Sequence, residues 1–142
     1  MKKAVIFYQS KTGTTKNYAH EIEAYLQNRQ IQAACYPVSE YHSGLLENAD
    51  LLLLGCWTKG LMVLFQKPDA LWNHFARRLT VPASSKVALF ATYKIRTGSM
   101  FRNMAKQVQK TGHSLFPRLK SRDGKLTGQD RAVLNRLIQD QG

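Results

Sequence analysis

The sequence predicts an α/β fold: a three-layer, doubly wound, five-stranded parallel sheet in the order 2-1-3-4-5, built as a single domain over residues 1–142. Three observations predict it. Apolar runs alternate with helix-period stretches along the sequence. The first, third and fourth runs are almost wholly apolar and carry no proline, as central parallel strands require. The second and fifth runs hold Pro37 and Pro117, and proline cannot donate to a sheet ladder, so it marks an edge. Hydrophobic residues make up 44% of 142 residues, enough for one core and too few residues for two domains.

The runs "AVIFY", "AACYPV", "DLLLLGC", "KVALFAT" and "SLFPRL" are the five expected strands. After the first, "TKNYAHEIEAYLQNR" places Tyr18, Ile22, Tyr25 and Leu26 on one helical face. "SGLLENA" follows the second strand and is short. "KPDALWNHFARRL" sets Leu71, Trp72, Phe75 and Leu79 at helical spacing, with Pro68 expected in its first turn. "SMFRNMAKQVQK" carries Met100, Phe101, Met104 and Val108. "GQDRAVLNRLIQ" carries Val133, Leu134, Leu137 and Ile138.

In the predicted order, the ligand crevice lies at the carboxyl ends of strands one and three. There "YQSKTGTTKNYA", residues 8–19, turns a strand into a helix. A helix start offers unpaired N–H groups and partial positive charge. Small hydroxyl residues can bond a phosphate without crowding it, and Gly13 permits close backbone approach. The loop matches neither G-x-x-x-x-G-K-[ST] nor G-x-G-x-x-G. The alternative is a plain helix cap, since Ser and Thr cap well.

These residues carry a resemblance. "SKTGTT" after an apolar strand resembles the loop [S/T]-x-T-G-x-T with which flavodoxins hold the phosphate of flavin mononucleotide (FMN). "GCWTKG", residues 55–60, resembles the loop G-C-x-x-x-G of some short members of that family through Gly55, Cys56 and Gly60. "FATYKIRTG", residues 90–98, resembles their loop F-G-S-Y through Phe90 and Tyr93, with Ala91 for glycine and Thr92 for serine. The resemblance spans the whole sequence and implies a flavodoxin-like fold with FMN as cofactor. It implies that Ser10, Lys11, Thr12, Gly13, Thr14 and Thr15 form the phosphate loop. Cys56, Trp57, Thr58 and Lys59 would line the inner side of the flavin, with the Lys59–Gly60 peptide near N5. Thr92, Tyr93, Lys94, Ile95 and Gly98 would belong to the outer loop. The family's outer aromatic position falls on Ile95, where Tyr93 could take over; the alternative for Tyr93 and Trp57 is core packing.

The net charge is +12, and it is lopsided. Up to residue 70, seven Lys/Arg face six Asp/Glu; beyond it, fourteen face Asp123, Asp130 and Asp140. Flavodoxins carrying low-potential electrons are usually acidic. Here Lys11, Lys16, Lys59, Lys94 and Arg96 lie in or beside the three loops, which implies a raised second reduction potential and a redox partner protein with an acidic docking surface. The alternative is that these side chains are solvated and screened. "KSRDGKL", residues 120–126, reads as a charged turn, either solvated or, with Arg118, a docking loop.

No other chemistry stands out. Cys35 and Cys56 form no C-x-x-C pair and lie outside metal-ligand spacing of a histidine. His20, His42, His74 and His113 are scattered, so no metal site is expected. No nucleophile elbow, phosphatase loop or receiver-domain acidic pocket appears. The start "MKKAVIF" is too short for a signal-peptide core and "LLLLGCW" too short to span a bilayer, so a cytoplasmic protein without membrane insertion is expected. The expected function is electron transfer through FMN. Alternatives are FMN-dependent reduction of a small substrate and a flavin-free binding module using the basic surface. Nucleic-acid binding ranks last, because no nucleic-acid motif is present.

Overall fold

Strand β1, Lys3–Gln9, is buried through its middle and pairs on both sides. That double pairing is what its unbroken apolar run is for. The computed structural model describes residues 3–58, 68–94, 97–108 and 116–139. Along them run β1, helix α1 (Thr14–Asn28), β2 (Gln32–Pro37), two short 3-10 turns (Val38–Glu40 and Ser43–Leu46), β3 (Leu51–Trp57), α2 (Ala70–Arg78), β4 (Lys86–Thr92), α3 (Met100–Val108), β5 (Arg118–Ser121) and α4 (Gly128–Gln139). The sheet is parallel and runs β2-β1-β3-β4-β5, as the prolines predict.

Alternation along the strands divides the core. In β3, Leu51 and Leu53 face α1 and α4; Leu52 and Leu54 face α2 and α3. Each is fully buried, and burying a leucine contributes about 1.5–3 kcal/mol. Three layers follow, with helices on both faces of the sheet.

Three expectations need correction. Pro117 precedes β5 rather than lying in it. Its carbonyl accepts from Leu89 N–H at 2.8 Å, the half of the ladder that a proline can still supply. Pro68 precedes α2, because Asp69 takes the cap position. Leu71 is 61% exposed, since the buried face of α2 runs through Trp72, Phe75 and Ala76. Residues 114 and 115 of the fifth apolar run, site residues Lys59, Gly60 and Ile95, and the basic Arg96 lie outside the described residues.

Candidate functional site

The described starts of the loops after β1, β3 and β4 lie together at the carboxyl edge of the sheet. The first begins where β1 ends. Ser10 Oγ accepts from Gly13 N–H at 3.0 Å and curls the loop back. Gly13 caps α1 at φ +96°, a conformation that disfavours a side chain, and open space lies where a Cβ would sit. No side chain caps the helix. Asn17 N–H is the first to reach a helical carbonyl, that of Gly13, at 2.9 Å. The amides of Thr14, Thr15 and Lys16 thus have no partner within the helix. This differs from a plain Ser/Thr cap. Thr12 and Thr14 hydroxyls stand 3.4 Å apart beside these amides.

Thr15 is 1% exposed, and its hydroxyl bonds that of Thr92 at 2.6 Å. It therefore ties the first loop to the third and can offer a ligand only its amide. Behind the loop, the "KSRDGKL" turn is wedged against α1. Gly124 is buried at φ +79°, and a Cβ there would lie 2.6 Å from Thr14 O. Asn17 Nδ2 donates to Gly124 O at 3.0 Å. Ser121 Oγ accepts from Gly124 and Lys125 N–H, both at 3.1 Å, and closes the turn. The exposed charges Arg122 and Lys125 ride on a packed frame.

In the second loop, Cys56 is buried in the core, and its Sγ accepts from Asp69 N–H at 3.4 Å. Burial pushes its thiol far above the ordinary range. Trp57 is half-buried, and its Nε1 donates to Asp69 Oδ2 at 3.0 Å. Lys11 Nζ stands 4.9 Å from the centre of the Trp57 ring. Thr58 N–H donates to Thr92 O at 2.9 Å. Thr58 Oγ1 is buried without a hydrogen-bond partner among the described residues. In the third loop, Tyr93 is half-buried beneath Arg122, whose guanidinium carbon lies 5.6 Å from the ring centre. Lys94 and Gly98 are exposed, and Gly98 has φ +49° just before α3.

The residues fit FMN. The uncapped helix start and open space at Gly13 suit a phosphate. Thr58 Oγ1 is a buried polar atom with no partner among the described residues. Trp57 and Tyr93 supply half-buried aromatic surface at the same edge.

Sequence reasoning missed two residues here. Asp69 caps α2 by accepting from Leu71 N–H at 2.9 Å, and also holds Trp57 and Gln9. Its signal was present: an aspartate directly before a helix-period run. Arg122 reaches Tyr93 from another turn, and no local pattern announces that. The fold also overturns the separation of cysteine and histidine. Cys35 Sγ lies 3.3 Å from His20 Nδ1, with Glu23 alongside.

The flavodoxin family profile matches residues 6–132. The chain belongs to the flavodoxin family. A search of curated proteins finds no match. Among solved structures, the two-electron reduced flavodoxin of Megasphaera elsdenii is 22% identical, with TM-score 0.72, covering 96% of this chain and 98% of that one. Oxidised flavodoxin 1 of Bacillus cereus is 18% identical, with TM-score 0.64, covering 96% and 95%. Rubredoxin oxygen:oxidoreductase of Desulfovibrio gigas is 16% identical, with TM-score 0.69; 96% of this flavodoxin is covered but only 34% of that protein. At these identities the structures establish the fold. Family membership implies FMN as cofactor and electron transfer as the role. No helix among the described residues is long and apolar enough to cross a membrane.

Proposed function

We propose that this flavodoxin is a cytoplasmic electron carrier that holds FMN in the loops after β1, β3 and β4 and serves an acidic redox partner. One observation carries the binding mode: the uncapped start of α1, opened by Gly13 at φ +96°. The amides of Thr14, Thr15 and Lys16, with the Thr12 and Thr14 hydroxyls, would hold the phosphate. Trp57, Thr58 and Tyr93 would flank the ring system. The resemblance assigns Cys56, Lys59, Gly60 and Ile95 to the same walls; Cys56 supports its loop from the core. FMN supplies the electron chemistry, and the protein supplies position, exclusion of water and charge. Asp69 is committed to Trp57, Gln9 and the cap of α2, so it is no free acid or base for a substrate. That favours a carrier over a reductase. Lys11 and Lys94 put positive charge beside the loops, which suits a negatively charged partner face. Both cysteines are free, which suits a reducing compartment.

The test is a fluorescence titration of the flavin-free protein with FMN and riboflavin, which differ in the phosphate. Charge-assisted hydrogen bonds contribute roughly 1.5–3 kcal/mol each, so FMN should bind at least about tenfold tighter. Gly13→Val should erase that preference. Equal affinity for both flavins would remove the phosphate reading.

A further inference from the structure

We propose that His20, Glu23 and Cys35 form a site for a thiophilic divalent cation of the zinc class. His20 and Glu23 are one helical turn apart on α1, and Cys35 comes from edge strand β2. The pairing of β1 with β2 sets Cys35 opposite Ile6 and brings it under the helix. One ligand atom from each residue lies within 4.8 Å of the other two.

The spacing suits a tetrahedral ion. With Zn–N and Zn–O of about 2.0–2.2 Å and Zn–S of about 2.3 Å, ligand-to-ligand edges are roughly 3.3–3.6 Å. His20 Nδ1 lies 3.3 Å from Cys35 Sγ and 3.4 Å from Glu23 Oε1. Two of the three edges therefore already have coordination length.

The surroundings hold the set in place. Cys35 N–H donates to Glu23 Oε2 at 2.8 Å, fixing the carboxylate and leaving Oε1 for the ion. The Tyr8 ring, 6.3 Å away, borders the imidazole. The His20 side chain is 50% exposed, which leaves an entry path and a fourth position for water. Imidazole, thiolate and carboxylate form a mixed N/S/O set that suits zinc and excludes calcium and magnesium, which prefer all-oxygen cages. Glu40 adds negative charge toward Tyr8 on this side, and Lys16 opposes it. Coordination would form a metal–sulfur bond, and the thiol proton would pass to solvent. The ion would clamp α1 to the sheet edge and owes nothing to flavin.

Untagged full-length protein, stripped by chelator, would be titrated with Co(II) and then Zn(II), with and without FMN. The expected result is one equivalent, a thiolate-to-cobalt charge-transfer band in both flavin states, and displacement by zinc. Cys35→Ser should abolish the band. His20→Ala and Glu23→Gln should weaken zinc at least about tenfold, while His74→Ala leaves it unchanged. Circular dichroism checks that each variant is folded. A missing band, or zinc affinity unchanged in folded Cys35→Ser, would overturn the site.

Discussion

Thr15 and Thr92 stand 77 positions apart, yet their buried hydroxyls share one hydrogen bond. Losing one partner strands the other, at a cost of about 1–3 kcal/mol. Thr15→Val and Thr92→Val should each lower urea stability by that amount. The double variant should recover much of the loss, because neither hydroxyl is then left alone. Asp130 is a harder case. It is buried and accepts from Tyr18 Oη at 2.6 Å and from Thr127 N–H at 3.2 Å; burial first, and this hydrogen bond second, push the tyrosine's pKa up. Asp130→Ala leaves two donors unmet, and chemical denaturation should show a larger loss than either threonine variant. Lys11 tests the charge reading. Replacing it with Gln should make the second one-electron potential of the loaded protein more negative; an unchanged potential would mean that its charge is screened. Cys35 adds a pH signature to the metal-free protein. Burial, with Glu23 close by, pushes its thiol up to about 12. Thiolate is then scarce at pH 8, and alkylation should be slower than for free cysteine, accelerating as pH climbs.

At the scale of elements, Asp69 has two tasks. It starts α2 and anchors Trp57. Asp69→Ala should cost about 1–2 kcal/mol through the lost cap and release the indole, visible as a shift in tryptophan emission. Asp69→Asn keeps an acceptor and should retain most of the stability. The elements were largely legible in the sequence because strand position and composition are linked. Central parallel strands are covered on both faces and read as unbroken apolar runs, whereas edges tolerate Pro37 and, just outside its strand, Pro117. The turn from β1 into α1 was legible because Gly13 stands between an apolar strand and a helix-period run. Leu71 was misread because α2 is nine residues long, too few to fix its buried face by period alone. His20 and Cys35 were missed because their contact depends on how β2 docks beside β1, which spacing along one element cannot show. Gly55 looked like a ligand-loop glycine by resemblance. In the fold, a Cβ there would lie 2.0 Å from the Phe90 ring, so the residue is also demanded by packing.

For the whole molecule, the proposed docking on an acidic partner would be steered by charge. A net +12 is a long-range field, concentrated in the second half of the sequence. Electron transfer with an acidic partner should slow as salt rises from 10 to 150 mM, where the screening length falls from about 30 to about 8 Å. Stopped-flow rates that ignore salt would remove the steering role.

The sheet order also has a consequence for biogenesis. β1 is made first but sits between two strands made later, pairing Ala4 with Ala33 and with Leu51. A ribosome adding about 5–20 residues per second takes roughly two to ten seconds to pass from Ala4 to Leu51. Throughout that interval the nascent "AVIF" segment lacks its β3 neighbour. The strand that leads into the Gly13 turn thus completes its pairing only after β3 has been made.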